Sequence, residues 1–214
     1  MGGGLSGRVA LLPAEVPAGE DAEQAFADAT ALEGLAVAPA VAPWVSGRIG
    51  LEGSNEAGLT YAGRAIRLDG RHAFKLGTPT LSVGLGGSVL VARRPGNRAD
   101  ERSVFGGGLD VPVIIGVTST ADIYSLWGGV RGGFELLRGA VPGLAAGSDP
   151  TEEEFSGHHL HAGFVAGLRV GFRHVHVAFE VDGAYHSAGG TIGERAVRVE
   201  QLSLTPAGAL IVSF

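Results

Sequence analysis

From Leu202 to Phe214 the chain alternates. Leu202, Leu204, Pro206, Gly208, Leu210, Val212 and Phe214 make one row; Gln201, Ser203, Thr205, Ala207, Ala209, Ile211 and Ser213 make the other. A β-strand points successive side chains to opposite faces, so this segment has one apolar face and one small or polar face. The same two rows recur upstream. Leu81, Val83, Leu85, Val89 and Val91 oppose Ser82, Gly84, Gly86 and Ser88. Phe105, Leu109, Val111, Val113, Ile115 and Val117 oppose Gly106, Gly108, Asp110, Pro112 and Gly116. Tyr124, Leu126, Val130, Phe134 and Leu136 oppose Ser125, Trp127, Arg131 and Glu135. Leu160, Ala162, Phe164, Ala166, Leu168 and Val170 oppose His159, His161, Gly163, Gly167 and Arg169. Val175, Val177, Phe179, Val181 and Tyr185 oppose His176, Glu180, Asp182 and His186.

These patterns predict strands over 40–52, 81–94, 105–117, 123–138, 158–170, 174–187 and 198–214. Residues 57–76 are harder. Leu59 and Tyr61 are odd-numbered, whereas Ile66, Leu68, Phe74 and Leu76 are even. Such a parity flip marks a bulge or a turn near Gly63-Arg64. A turn there, with a first strand over Leu5–Leu12, gives ten strands. A bulge gives eight strands and an N-terminal tail. The acidic, Ala-rich stretch 13–38, with fair helix propensity, is then a loop in the ten-strand reading and a tail in the eight-strand one. Short links at Thr78-Pro79, Ser119–Ala121 and Phe172-Arg173 alternate with longer polar ones at 95–104, 139–157 and 188–197. The chain is expected to form one domain over 1–214.

Composition narrows the class. No run of about 18 apolar residues occurs, so no membrane-crossing helix is predicted. The 37 glycines have no collagen-like period and suit curved strands and a crowded inner face. The absence of cysteine removes disulfides and thiolate metal sites. A net charge of −6 argues against nucleic acid as partner. Met1-Gly-Gly-Gly carries no export signal, so an exported chain is expected to have been trimmed.

The paired rows, the alternating link lengths and hairpins such as GRIGLEGSNEAGLTYAG and IIGVTSTADIYSLWGGVRGG resemble those of proteobacterial outer-membrane β-barrels. The resemblance implies an all-β, antiparallel up-and-down barrel of ten strands (alternatively eight) in the bacterial outer membrane. It further implies contact with outer-membrane lipid, a monomer, and recognition of the C-terminal strand by the barrel-assembly machinery, with Phe214 as the sorting signal. Phe74, Phe105, Tyr124, Phe134, Phe172 and Tyr185 fall where interfacial aromatic girdles are expected.

If the polar row faces the lumen, it carries Arg67, Asp69, Arg71, Arg131, Glu135, Arg169, Glu180 and Asp182. Buried charges require partners, so a salt-bridged interior is expected. Its role is that of a structural barrel or a narrow passive channel, and glycines on the same face leave room for water. A turn at Phe172-Arg173 would set His159 opposite His186 and His161 opposite Ala184. Three imidazoles, His159, His161 and His186, would then converge near the outer mouth and suit a divalent transition metal, with Glu152, Glu153 or Glu154 adding a carboxylate. No other cofactor is expected. Alternatives remain: a soluble lipocalin-like binding barrel, or a barrel with lipid-directed enzyme activity, for which Ser187, His186 and Asp182 are the nearest approach to a catalytic trio.

Overall fold

The structure, a computed structural model, describes residues 1–12, 22–36, 41–63, 65–93, 103–142 and 152–214. Among these residues eleven strands appear: β1 (Gly2–Gly7), β2 (Val9–Leu12), β3 (Val41–Leu51), β4 (Asn55–Tyr61), β5 (Ala65–Lys75), β6 (Thr80–Arg93), β7 (Ser103–Thr118), β8 (Tyr124–Pro142), β9 (Glu152–Phe172), β10 (Val175–Ile192) and β11 (Arg195–Val212). One helix, α1 (Ala22–Ala36), lies between β2 and β3. All neighbouring strands pair antiparallel from β3 to β11, and β1 pairs with both β3 and β11, which closes the barrel. β2 continues the β1 register on β11: Ser6 faces Ala207, and Val9 faces Leu204. β1 and β2 are therefore two pieces of one stave broken at Arg8, and the wall has ten staves. The eight-strand alternative fails because the parity flip is a turn between β4 and β5, with Gly63 at φ 69 and the two strands paired with each other.

The apolar row faces outward. Leu68, Leu85, Leu109, Val130, Phe164, Phe179 and Leu210 are all exposed on the outer surface. A soluble barrel of lipocalin type needs a polar exterior, so that alternative does not fit these strands. The chain is a β-barrel of outer-membrane type, with an apolar belt on its outer surface. Both chain ends lie at the end carrying the short turns after β3, β5, β7 and β9, the end such barrels place in the periplasm.

Strand lengths divide the wall into a low and a tall side. β3 to β5 have 11, 7 and 11 residues, whereas β8 to β11 have 19, 21, 18 and 18. A spanning strand needs about 9–11 residues, so the tall side projects well beyond the membrane. The connections expected at 139–157 and 188–197 shrink accordingly. β8 runs on to Pro142 and β9 begins at Glu152. β10 and β11 stay paired to Ile192 and Arg195, joined by a tight turn in which Gly193 adopts φ 58. Polar outward residues such as Ser156 and Thr191 read as loop in sequence because the outer face there meets water. The link expected at 95–104 falls largely outside the described residues, as does 13–21 of the acidic stretch.

Above the belt the two rows exchange chemistry. Leu137, Phe155, Ala188, Ile192 and Val199 now point inward and join Leu90, Val104 and the α1 residues Leu32 and Ala36 in one buried cluster. Arg138, Glu154, Ser156, His158, Arg198 and Glu200 stand outward on the same strands. α1 thus caps the mouth, seated on β10 and β11.

Candidate functional site in the lumen

The inner wall is built in tiers. At the periplasmic rim, Arg169 donates to Asp122 at 2.5 Å and to Ser125 at 3.0 Å, and His176, fully buried, lies 3.2 Å from the Asp122 carbonyl. Higher up, Trp127 Nε1 donates to Glu180 at 3.0 Å, and Arg131 pairs with Asp182 at 2.6 Å. Across the lumen the low strands carry a denser network. Arg67 holds Asp110 through two hydrogen bonds of 2.7 and 2.6 Å and reaches Asp69 at 3.0 Å. Arg48 meets Asp69 at 2.8 Å and Glu56 at 3.7 Å, and Arg71 meets Glu56 at 3.1 Å.

The eight lumen residues named from sequence all occupy the inner face, but only two pairs form among them: Arg67 with Asp69, and Arg131 with Asp182. Their other partners include Arg48, Glu56, Asp110, Asp122, Ser125, Trp127 and His159. Asp110 and Trp127 lie on polar rows legible in sequence. Arg48 and Glu56 become assignable only once β3 and β4 are known to be separate strands.

The histidines meet, with a different register. The β9–β10 turn is Arg173-His174, so His186 faces His161, and His159 faces Ala188. His159 and His186 nevertheless touch diagonally. Glu135 Oε2 contacts His159 Nδ1 at 3.0 Å, His159 Nε2 contacts His186 Nδ1 at 3.0 Å, and His186 Nε2 contacts Ser203 Oγ at 2.9 Å. The carboxylate at the cluster is Glu135, not one of the acidic run: Glu153 binds Arg195 and Glu154 faces outward. The side chain of Glu152 lies outside the described residues. The Ser187 trio does not assemble, because Ser187 has outward parity, His186 is engaged by Ser203, and Asp182 by Arg131. His158 stands outward and stacks on Phe134.

One more polar tier separates this chain from the apolar cap. Arg8, at the break in the first stave, donates to Gln201 and to Glu33 of α1, the latter at 3.2 Å, and Gln201 donates to Glu33 at 2.9 Å. At the top, Arg195 reaches Asp28 of α1 at 2.7 Å and Glu153 at 2.5 Å. These two carboxylates raise the Arg195 pKa above its ordinary value.

The inner glycines are filled space. A Cβ on Gly133 would lie 2.5 Å from Cε1 of His161, one on Gly108 2.5 Å from Cγ of Glu135, and one on Gly58 2.7 Å from Nη2 of Arg48. At these three positions the gap beside the glycine holds a neighbour's long side chain laid against the wall, not open space.

No protein family and no curated protein matches the sequence. Among solved structures, the chain is similar to neisserial surface protein A, at 13% identity and TM-score 0.30, over 80% of this chain and 92% of that one. It is also similar to OccK2 (OpdF) of Pseudomonas aeruginosa, at 12% identity and TM-score 0.22, over 84% of this chain and 60% of that one. A mutant porin of Rh. blastica aligns at 6% identity and TM-score 0.14 over 99% of both chains. No role is carried over from these distant likenesses; the membrane-barrel assignment rests on the closed sheet and its outward apolar row.

Proposed function

We propose that this protein is a structural outer-membrane barrel, closed to diffusion, that holds a folded, helix-capped dome above the membrane. The observation that carries this reading is the burial of polar side chains across the lumen. Asp69, His159, Asp182, Gln201 and Ser203 are at most 6% exposed, which supports an interior filled by side chains, as in other narrow barrels. The α1 cap then adds an apolar seal. Each lumen charge is met by an opposite charge or a hydrogen bond, which offsets part of the cost of burying it.

Planar-bilayer recording tests this directly. Purified protein inserted into bilayers in 1 M KCl is expected to give no discrete conductance steps. Reproducible single-channel steps, with ion selectivity set by the lumen charges, would establish the narrow-channel alternative instead.

A further inference from the structure

We propose that His159, His161 and His186 form a binding site for one divalent first-row transition ion, of the zinc or copper kind, on the inner wall between the Arg131–Asp182 pair and the Arg8–Gln201–Glu33 tier. This goes beyond the closed-barrel reading and does not depend on it.

The argument begins with which nitrogens face each other. His159 Nε2 and His186 Nδ1 are 3.0 Å apart. The opposite nitrogen of each ring is already held, His159 Nδ1 by Glu135 and His186 Nε2 by Ser203. Metal-bound histidines characteristically have their second nitrogen fixed by a carboxylate or another oxygen, which sets tautomer and ring orientation. Here that outer support exists on both rings, and the two inner nitrogens converge. The third ring adds an unused ligand atom: His161 Nδ1 is buried without a hydrogen-bond partner.

Ring spacing agrees. At a metal–nitrogen distance of about 2.0–2.1 Å, three imidazoles around a tetrahedral ion place their ring centroids about 5 Å apart. The observed separations are 5.2 Å for His159–His186, 5.4 Å for His159–His161 and 6.2 Å for His161–His186. Among the described residues no three His, Asp or Glu donors already converge on a single point. Binding therefore requires the His161 ring to move inward by about 1 Å. The ring rests on Gly133, which carries no side chain that would block that movement.

Protons balance without loss. A Glu135 carboxylate can only accept, so a neutral His159 donates to it from Nδ1 and accepts at Nε2, which places the proton of His186 on Nδ1. When the ion binds, the His186 proton moves to Nε2, where Ser203 Oγ accepts it, and both inner lone pairs become ligands. Neutral imidazoles suit zinc, copper and nickel. The nearby cations Arg8 and Arg131 are engaged by Glu33 and Asp182, and the Glu135 carboxylate offsets part of the ion's charge.

The full chain, refolded into detergent micelles with excess ZnCl2 and then desalted, is expected to retain one zinc per chain. His159→Gln combined with His186→Gln should abolish retention. His158→Gln, which alters only an outward ring, should not. Ser203→Ala keeps all three ligands but loses one supporting hydrogen bond, and should weaken zinc affinity by roughly tenfold. Wild-type protein loaded with Cu(II) should give an electron paramagnetic resonance spectrum split by imidazole nitrogens, a readout that needs no variant. The proposal is overturned if wild type retains no zinc, if the double variant retains as much as wild type, or if the copper spectrum shows oxygen ligands alone.

Discussion

At Gly132 and Gly133 the same residue type does two different jobs one position apart. Gly132 is on the lipid face, and a Cβ there would meet nothing closer than 3.5 Å. Gly133 is on the lumen face, where the same atom would strike the His161 ring at 2.5 Å and the Leu109 carbonyl oxygen at 2.9 Å. Overpacking of this kind costs about 1–3 kcal/mol, because neither a strand carbonyl nor a wedged ring yields freely. Gly133→Ala is therefore expected to lower stability by that amount, and Gly132→Ala to change it by less than about 0.5 kcal/mol. Urea titrations followed by the heat-modifiable gel shift would measure both; equal effects would mean that the inner face is looser than described. Sequence could identify the lumen row, because alternation alone sorts odd from even positions. It could not show that the row's glycines are footprints of His161, Glu135 and Arg48, since those contacts cross between strands and depend on register. The histidine site shows the same limit. A turn placed one residue early shifted every β9–β10 partner by two, yet the convergence of the three imidazoles survived, because a two-residue shift preserves the face.

α1 is an element whose place could not be deduced from its own residues. Its stretch is acidic and Ala-rich, and helix propensity was the sole signal. The partners that fix it, Ile192, Val199, Phe155 and Leu137, lie far along the chain, and Ile192 and Phe155 fall in stretches that read as loop. Leu32 is fully buried among them, so Leu32→Ala should remove about 2–5 kcal/mol of packing. The helix is otherwise tied by Arg195 and Arg8, both partly open to water, and ion pairs of that kind add little by themselves. The expected outcome is detachment of the cap alone. Backbone amides of 22–36 should exchange at rates near those of an unstructured peptide, while those of β8 to β11 below the cap stay protected. Hydrogen exchange with mass spectrometry separates the two; loss of protection throughout would make α1 part of the barrel's cooperative unit. Arg195→Ala should give a smaller acceleration in the same segment.

For the whole molecule, the exchange of rows fixes where the membrane ends. On β8 the outward residues run Tyr124, Leu126, Val130, Phe134, Leu136 and then Arg138; on β10, Val175 to Tyr185 and then Ser187 and Thr191; on β11, from the periplasmic end, Leu210 to Leu202 and then Glu200 and Arg198. From Tyr124 to Phe134, or Val175 to Tyr185, is about ten residues, which at ~3.3 Å per residue and a tilt of about 40° rises about 25 Å, the height of an outer-membrane apolar belt. Phe134 and Tyr185 then stand at the height of the outer aromatic girdle, short of the strand ends at Pro142 and Ile192. Sinking the barrel deeper would carry Arg138, Glu154, Arg198 and Glu200 toward hydrocarbon, at a cost rising toward ~2–4 kcal/mol per basic residue at mid-bilayer. Lifting it would expose Phe134 and Leu136 to water. Nitroxide labels on single cysteines, simple to introduce because the chain has none, test the boundary. Labels at Val130 and Phe164 should be relaxed more by oxygen than by a water-soluble nickel chelate, and labels at Ser156, Thr191 and Arg198 the reverse. Crossover is expected between Leu136 and Arg138 on β8 and between Leu202 and Glu200 on β11, at one height on both strands. A crossover near the strand tips would mean that the tall wall is embedded to its rim and that α1 caps the barrel within the membrane rather than above it.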